Sequence, residues 1–247
     1  MPAFNPRTST RKIILLMLMV WVAFATLAIS VSAQSLNKTL VVSSDSPEIE
    51  VINQTGSIKV SASTAGVGRV VINSRQPDST GRVNVTQGSD GRIKVEVTGR
   101  SPIDFEITAP AAANLDLLIY KGAISITNAT GTIKARVTTD GNIMLAGLRS
   151  NKIDAHSSNG SISFSGDLIS GGEYSLRAFS GRIDATFPSA ADFKLTASSF
   201  SGVIDLGGFP MNFQRQTNQL VEASCGPGRA KVSLWTQEGS IYLHRKP

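Results

Sequence analysis

A glycine two residues ahead of an isoleucine recurs along this chain, at Gly56-Ser-Ile58, Gly91-Arg-Ile93, Gly122-Ala-Ile124, Gly141-Asn-Ile143, Gly160-Ser-Ile162, Gly181-Arg-Ile183, Gly202-Val-Ile204 and Gly239-Ser-Ile241. Between Gly122 and Gly202 the glycines step by 19, 19, 21 and 21 residues. Two positions past the isoleucine stands a second apolar residue: Ile126, Leu145, Phe164, Ala185, Leu206 or Leu243. Alternation with period two predicts a short strand, buried on one face, that opens at each glycine. The positions seven, five and three before the glycine repeat as well: Leu115, Leu117, Ile119; Ile153, Ala155, Ser157; Tyr174, Leu176, Ala178; Leu195, Ala197, Ser199; Val232, Leu234, Thr236. Ile133, Ala135 and Val137 join this series one residue out of step, which predicts a bulge. Each repeat therefore holds two strands around a tight turn, where positive φ favours glycine.

A two-strand unit of roughly 20 residues cannot bury its face alone, so successive units stack at ~4.8 Å around a continuous apolar column. The predicted fold is all-β: a single-stranded β-solenoid over residues 111–247, with two strands per rung. A meander sandwich would also alternate, but nothing in it asks for the same isoleucine at the same offset in each repeat. Residues 34–110 are strand-rich (Ile49-Glu-Val51, Val70-Val-Ile72, Ile93-Lys-Val95) and keep the repeat less strictly. They read as first irregular rungs or as a cap. The step from Gly202 to Gly239 is 37 residues, and its excess over a rung falls in a polar excursion at 207–228.

The first 33 residues have the order of a secretory signal peptide: Arg7, Arg11 and Lys12, then the apolar run Ile13 to Ile29, then Val31 and Ala33 at the small-residue positions of a cleavage site before Gln34. The alternative is an uncleaved anchor, because the run is at the short limit for a membrane span. The expected address is the periplasm, cell surface or extracellular space, with membrane attachment only through an uncleaved leader. The net charge of +6 shrinks to +3 without the leader, which leaves 21 bases against 18 acids. Those bases stand singly among Ser and Thr, without the clustered stripe that tracks phosphates, so nucleic acid is not an expected partner. Cys225 is the lone cysteine and reads as a buried thiol, the alternative being a disulfide between two chains.

Little in the chain points to catalysis. Its two histidines, His156 and His244, read as surface residues, and Cys225 is far from both in sequence, so no nucleophilic set, metal site or cofactor site is expected. The strongest enzymatic alternative is a carbohydrate-active β-helix enzyme. Its candidate residues are Asp184 and Asp205, which share the outward slot after the repeated isoleucine and would stack on neighbouring rungs as a carboxylate pair. The competing reading is two solvated carboxylates near Arg177 and Arg182. Phe179 and Phe200, two residues before their glycines, also have outward parity. They are expected on adjacent rungs as an exposed aromatic pair beside Arg182, Asp184 and Asp205, forming a partner-binding patch. Alternatively, the 207–228 excursion folds over both rings and makes them a satellite core.

The segment Ile103-Asp-Phe-Glu-Ile-Thr-Ala-Pro110, followed by Leu115-Asp-Leu-Leu-Ile119, Gly122-Ala-Ile-Ser-Ile126 and the serial Ser-Gly-x-Ile turns, resembles the bacterial "putative adhesin" family of β-strand-repeat domains. The resemblance covers residues 36–243 and is strongest from 103 to 206. It implies an exported or membrane-attached envelope protein of β-solenoid fold, and it supplies no catalytic residues. The reading taken forward is a non-enzymatic, adhesin-like binding or scaffolding surface for an envelope glycan or protein. The alternatives are the β-helix enzyme and a sensor of envelope state.

Overall fold

The computed structural model describes residues 35–63, 68–74, 76 and 82–246. The apolar leader and the junction before Gln34 lie outside the described residues. Among the described residues there are nineteen strands and no helix, and every strand belongs to one hydrogen-bonded β-solenoid.

Each rung has a first arm before the corner and a second arm after it. In Asn114–Thr127 both arms belong to one strand that runs through the corner. Leu115, Leu117 and Ile119 face inward from the first arm, and Ile124 and Ile126 from the second. Stacking aligns these positions rung on rung: Ile124 pairs with Ile143, Ile143 with Ile162, Ile162 with Ile183, and Ile183 with Ile241, all within 1% of full burial. The expected bulge is present, because Val137 and Asp140 stand against Ser157 and Asn159.

The corner shows why glycine repeats. A β-carbon built on Gly141 would lie 1.7 Å from the carbonyl oxygen of Gly122, and one on Gly160 would lie 2.0 Å from that of Gly141. The φ angles there, +150° and +149°, also favour glycine. Where the inward position nearest the corner is polar, its side chain is spent on a neighbouring rung's glycine carbonyl. Ser157 Oγ donates to Gly141 (2.9 Å), Thr236 Oγ1 to Gly181 (3.1 Å) and Ser199 Oγ to Gly239 (2.8 Å). These buried hydroxyls therefore carry no desolvation debt.

Gly91 is an exception to the repeat. Ile93 aligns with Ile49 in the first arm, so Gly91 belongs to the hairpin turn joining Val83–Gln87 to Ile93–Val97, and a β-carbon there would meet nothing within 4 Å. The corner position of the 93–110 rung is held by Ile103, which faces Gly56.

Stack order differs from chain order at both ends. The rungs lie in the order 93–110, 48–63, 114–127, 133–148, 152–166, 173–188, 230–246, 193–205. Thus the 48–63 rung, early in the chain, and the 230–246 rung, last in the chain, are each tucked one place inward. Antiparallel strands cover the outer rungs. At one end Val83–Gln87 pairs with Ile93–Val97, and Arg69–Ser74 pairs with both Ile103–Pro110 and Leu36–Val41. At the other end the 207–228 excursion forms the hairpin Met211–Gln216/Leu220–Cys225 on the first arm of the 193–205 rung. It also sends Phe209 into the core, edge-to-face on Phe193 at 5.4 Å, and buries Cys225, whose pKa burial raises.

A clasp holds the tucked rung. Asp192, in the turn before the 193–205 rung, accepts the backbone N–H of Arg229 (2.9 Å) and pairs with its guanidinium. The side-chain hydrogen bond from Arg229, followed by the one from its backbone, holds the Asp192 carboxyl below its ordinary value of 3.8. A depressed carboxylate pKa contributes stability that is complete above the ordinary value and is lost as the pH falls through the depressed one. Asp192→Asn should therefore lower the melting temperature at pH 7, and the deficit should close in acid below the normal carboxylate range. Thermal melts of both proteins across pH 2–7 check this, and a deficit independent of pH would contradict it.

The inward column gives a sharper test. Ile183 is fully buried whereas Ser163, on the outward face of a neighbouring strand, is exposed. Truncating a core isoleucine to alanine already costs ~2–5 kcal/mol against a total stability of ~5–15 kcal/mol, and a buried charge costs more. Ile183→Asp should abolish the cooperative melt, and Ser163→Asp should melt within a few degrees of the parent. Equal melting temperatures would refute this placement.

Candidate functional site

The outward residues of the last three stacked rungs form the most aromatic surface among the described residues. Phe179 is 50% exposed and Phe200 63%, so the excursion does not cover them. They do not, however, lie on adjacent rungs. The 230–246 rung stands between theirs, and by register both phenylalanines flank Gln237. The same insertion brings in a third ring: Trp235 aligns with Arg177 and Ser198, and its centroid is 6.4 Å from that of Phe179. Phe179, Gln237, Phe200 and Trp235 thus make a ridge along the first arm, close to the glycine corner. Around that corner Val203 adds an apolar side chain that is 61% exposed.

On the second arm Asp184 and Asp205 are likewise separated, because Tyr242 pairs with both. The expected stacked carboxylate pair is therefore absent, and each carboxylate has its own work. Asp184 is the centre of a network: Arg182 Nε donates to Oδ2 (2.6 Å), and His244 Nε2 lies 3.2 Å from Oδ1. The Arg182 guanidinium also sits over the Tyr242 ring, 5.4 Å from its centroid, and the Tyr242 and His244 rings are nearly parallel at 6.4 Å. Asp205 accepts the backbone N–H of Gly207 (2.9 Å) and so fixes the turn after its strand. Cation–π contact and the ion pair together hold the Arg182 guanidinium across the second arm.

Of the five residues singled out from the sequence, Arg182 and Asp184 touch. Phe179 and Phe200 share a ridge, and Asp205 stands apart in its turn. Trp235 and Tyr242 were not singled out, and His244, a surface residue as expected, and Gln237, which has the same outward parity as Phe179 and Phe200, were not assigned to the patch. Their signal was present in the outward parity of residues 230–246, but sequence spacing placed that rung beyond Gly202. Among the described residues, no three His, Cys, Asp or Glu side chains gather closely enough to hold a metal ion.

A family model described as Toastrack DUF4097 matches residues 7–244. The chain belongs to this family. Solved structures are similar to this Toastrack chain at low identity. A "putative cell adhesion protein" from Clostridium sporogenes aligns with a TM-score of 0.50 and 9% identity, over 86% of this chain and 100% of that one. A "putative adhesin" from Bacteroides fragilis aligns at 0.41 and 15%, over 86% and 98%. A "putative lipid binding protein" from Parabacteroides distasonis aligns at 0.33 and 10%, over 87% and 96%. The first of these likenesses supports the fold; none carries an activity across. No curated protein matches the chain.

Proposed function

We propose that this chain is an exported, non-catalytic binding module of the bacterial envelope, and that it binds a glycan along the ridge of Phe179, Trp235, Gln237 and Phe200. The observation that carries this reading is the pair of half-exposed phenylalanines separated by one polar rung. Two strand spacings put them ~9.6 Å apart, about two repeats of an extended sugar chain, so the first and third sugars of a trisaccharide can stack on the two rings while Gln237 faces the sugar between them. Rigid aromatics on a strand scaffold also lose little side-chain entropy on binding. Arg182 and Tyr242, around the corner, extend the same surface with a cation and a phenol. Such a role is of the kind named for the Clostridium sporogenes protein, and export rests on the leader pattern in residues 1–33.

Two measurements test this. Titration calorimetry of the protein with purified envelope glycans should show binding, and Phe179→Ala with Phe200→Ala should weaken it about tenfold, since each stacking aromatic contributes ~0.5–1.5 kcal/mol. The melting temperature should stay within a few degrees. Unchanged affinity would remove the ridge from the site, and a large drop in melting temperature would make the rings structural. Capture of an envelope protein in place of a glycan would replace the ligand.

Export is tested separately. N-terminal mass spectrometry of the protein from its own envelope should find a chain beginning at Gln34. An intact Met1 or Pro2 end in the membrane fraction would make it an anchored protein, and the same end in the cytosol would end the export reading.

A further inference from the structure

The position of the 230–246 rung conflicts with the repeat written in the chain. Gly202 follows Gly181 by 21 residues, the same step that links Gly160 to Gly181 on adjacent rungs. Elsewhere a three-residue linker, 149–151, is enough to pass from one rung to the next, whereas residues 189–192 here bridge two rung positions. The rungs on either side of the insertion are matched to each other as well as to it. Gly181 and Gly202 both align with Gly239, Ile183 and Ile204 both pair with Ile241, and Leu176 and Ala197 both pair with Leu234. The first arms of the two flanking rungs are therefore in matching register across the slot, as are Ile183 and Asp184 with Ile204 and Asp205.

The rung that fills the slot is entered through the turn Gly226-Pro227-Gly228-Arg229, whose glycines have φ of +63° and +72°. Its hold on the slot is also selective. A β-carbon at Gly239 would lie 2.1 Å from the Gly181 carbonyl oxygen, and Thr236 donates to that same oxygen. A segment able to occupy the slot must therefore carry glycine at the corner, a small hydroxyl three residues earlier and the alternating apolar positions of both arms. A second copy of the chain carries all of these.

We propose that the slot between the 173–188 and 193–205 rungs is a rung-exchange site, which holds the 230–246 rung of its own chain and accepts the same rung from a second copy. Reciprocal exchange joins two copies without any contact that the single chain lacks, the usual thermodynamic basis of swapped dimers. It also makes the aromatic ridge composite, with Phe179 and Phe200 from one copy and Trp235 and Gln237 from the other.

Ser175 and Ser233 are register partners across the slot wall, on adjacent parallel strands whose spacing of ~4.8 Å allows a disulfide. Cys225 stays in place as a buried thiol. Full-length Ser175→Cys and Ser233→Cys proteins are mixed at high concentration, taken through mild denaturant, returned to buffer and oxidised. The expected product is a covalent heterodimer joined through residues 175 and 233, at least fivefold above a control mixture of Ser163→Cys with Ser233→Cys. The chain carrying both cysteines should lock internally as a monomer. Heterodimer at the control level, while the double variant locks, would overturn the proposal; so would failure of the double variant to lock, because the slot register would then be wrong. The unsubstituted chain gives an independent reading. After the same treatment it should show a dimer in native mass spectrometry that the oxidised double variant does not form, and a strictly monomeric parent would also overturn the proposal.

Discussion

Everything in this molecule hangs on how closely backbones approach at the glycine corner. Neighbouring rungs come together there until a β-carbon would sit 1.7–2.2 Å from a carbonyl oxygen, in column from Gly122 through Gly141, Gly160, Gly181 and Gly239 to Gly202. Because the corner cannot slide by a residue without placing a side chain in that gap, it pins the register of both arms at once. The isoleucine column, the buried hydroxyls on the glycine carbonyls and the outward parity of the aromatic ridge all follow from that pinning.

Pinned register also explains how one sheet carries ion pairs without relying on them. Arg136 meets Asp116 at 2.7 Å and Arg177 meets Asp154 at 2.8 Å, each on the preceding rung of the chain and each partly open to solvent. Exposed pairs of this kind contribute ~0–1 kcal/mol apiece. Their effect is to disperse the positive charge along the outer faces. The exposed phenylalanines Phe179 and Phe200 interrupt that polar surface on the last three rungs of the stack.

Much of the fold was legible because both its periods are local. Alternation within an arm and glycine at each corner are properties of twenty consecutive residues, and so is the bulge at Val137–Asp140. The order of the rungs was not legible, because Ile183, Ile204 and Ile241 are interchangeable in sequence terms. Which of them neighbours which is decided by the turn at 226–229 and the clasp from Asp192 to Arg229, an interaction 37 residues long in sequence. The candidate site inherited that error. Phe179 and Phe200 were correctly placed outward, yet the residues between them were invisible until the 230–246 rung was seen to enter the slot. Gly91 shows the converse: its Gly-x-Ile spacing is that of a corner, and its neighbours make it a hairpin.

The reversal of strand direction at the two ends has a consequence for growth. A parallel stack built from identical corners has no intrinsic length, and an end exposing a bare rung would template the addition of another molecule, as fibrils do. Here Leu220–Cys225 and Val83–Gln87 run against the rungs beneath them, which interrupts the parallel ladder of the first arm at both ends, and Met211–Gln216 lies outside Leu220–Cys225. The outermost strand at the far end also presents Gln214, Arg215 and Gln216 to water. Among the described residues, the first-arm ladder of parallel rungs is thus bounded at both ends by reversed strands of the same chain, which works against growth by rung addition.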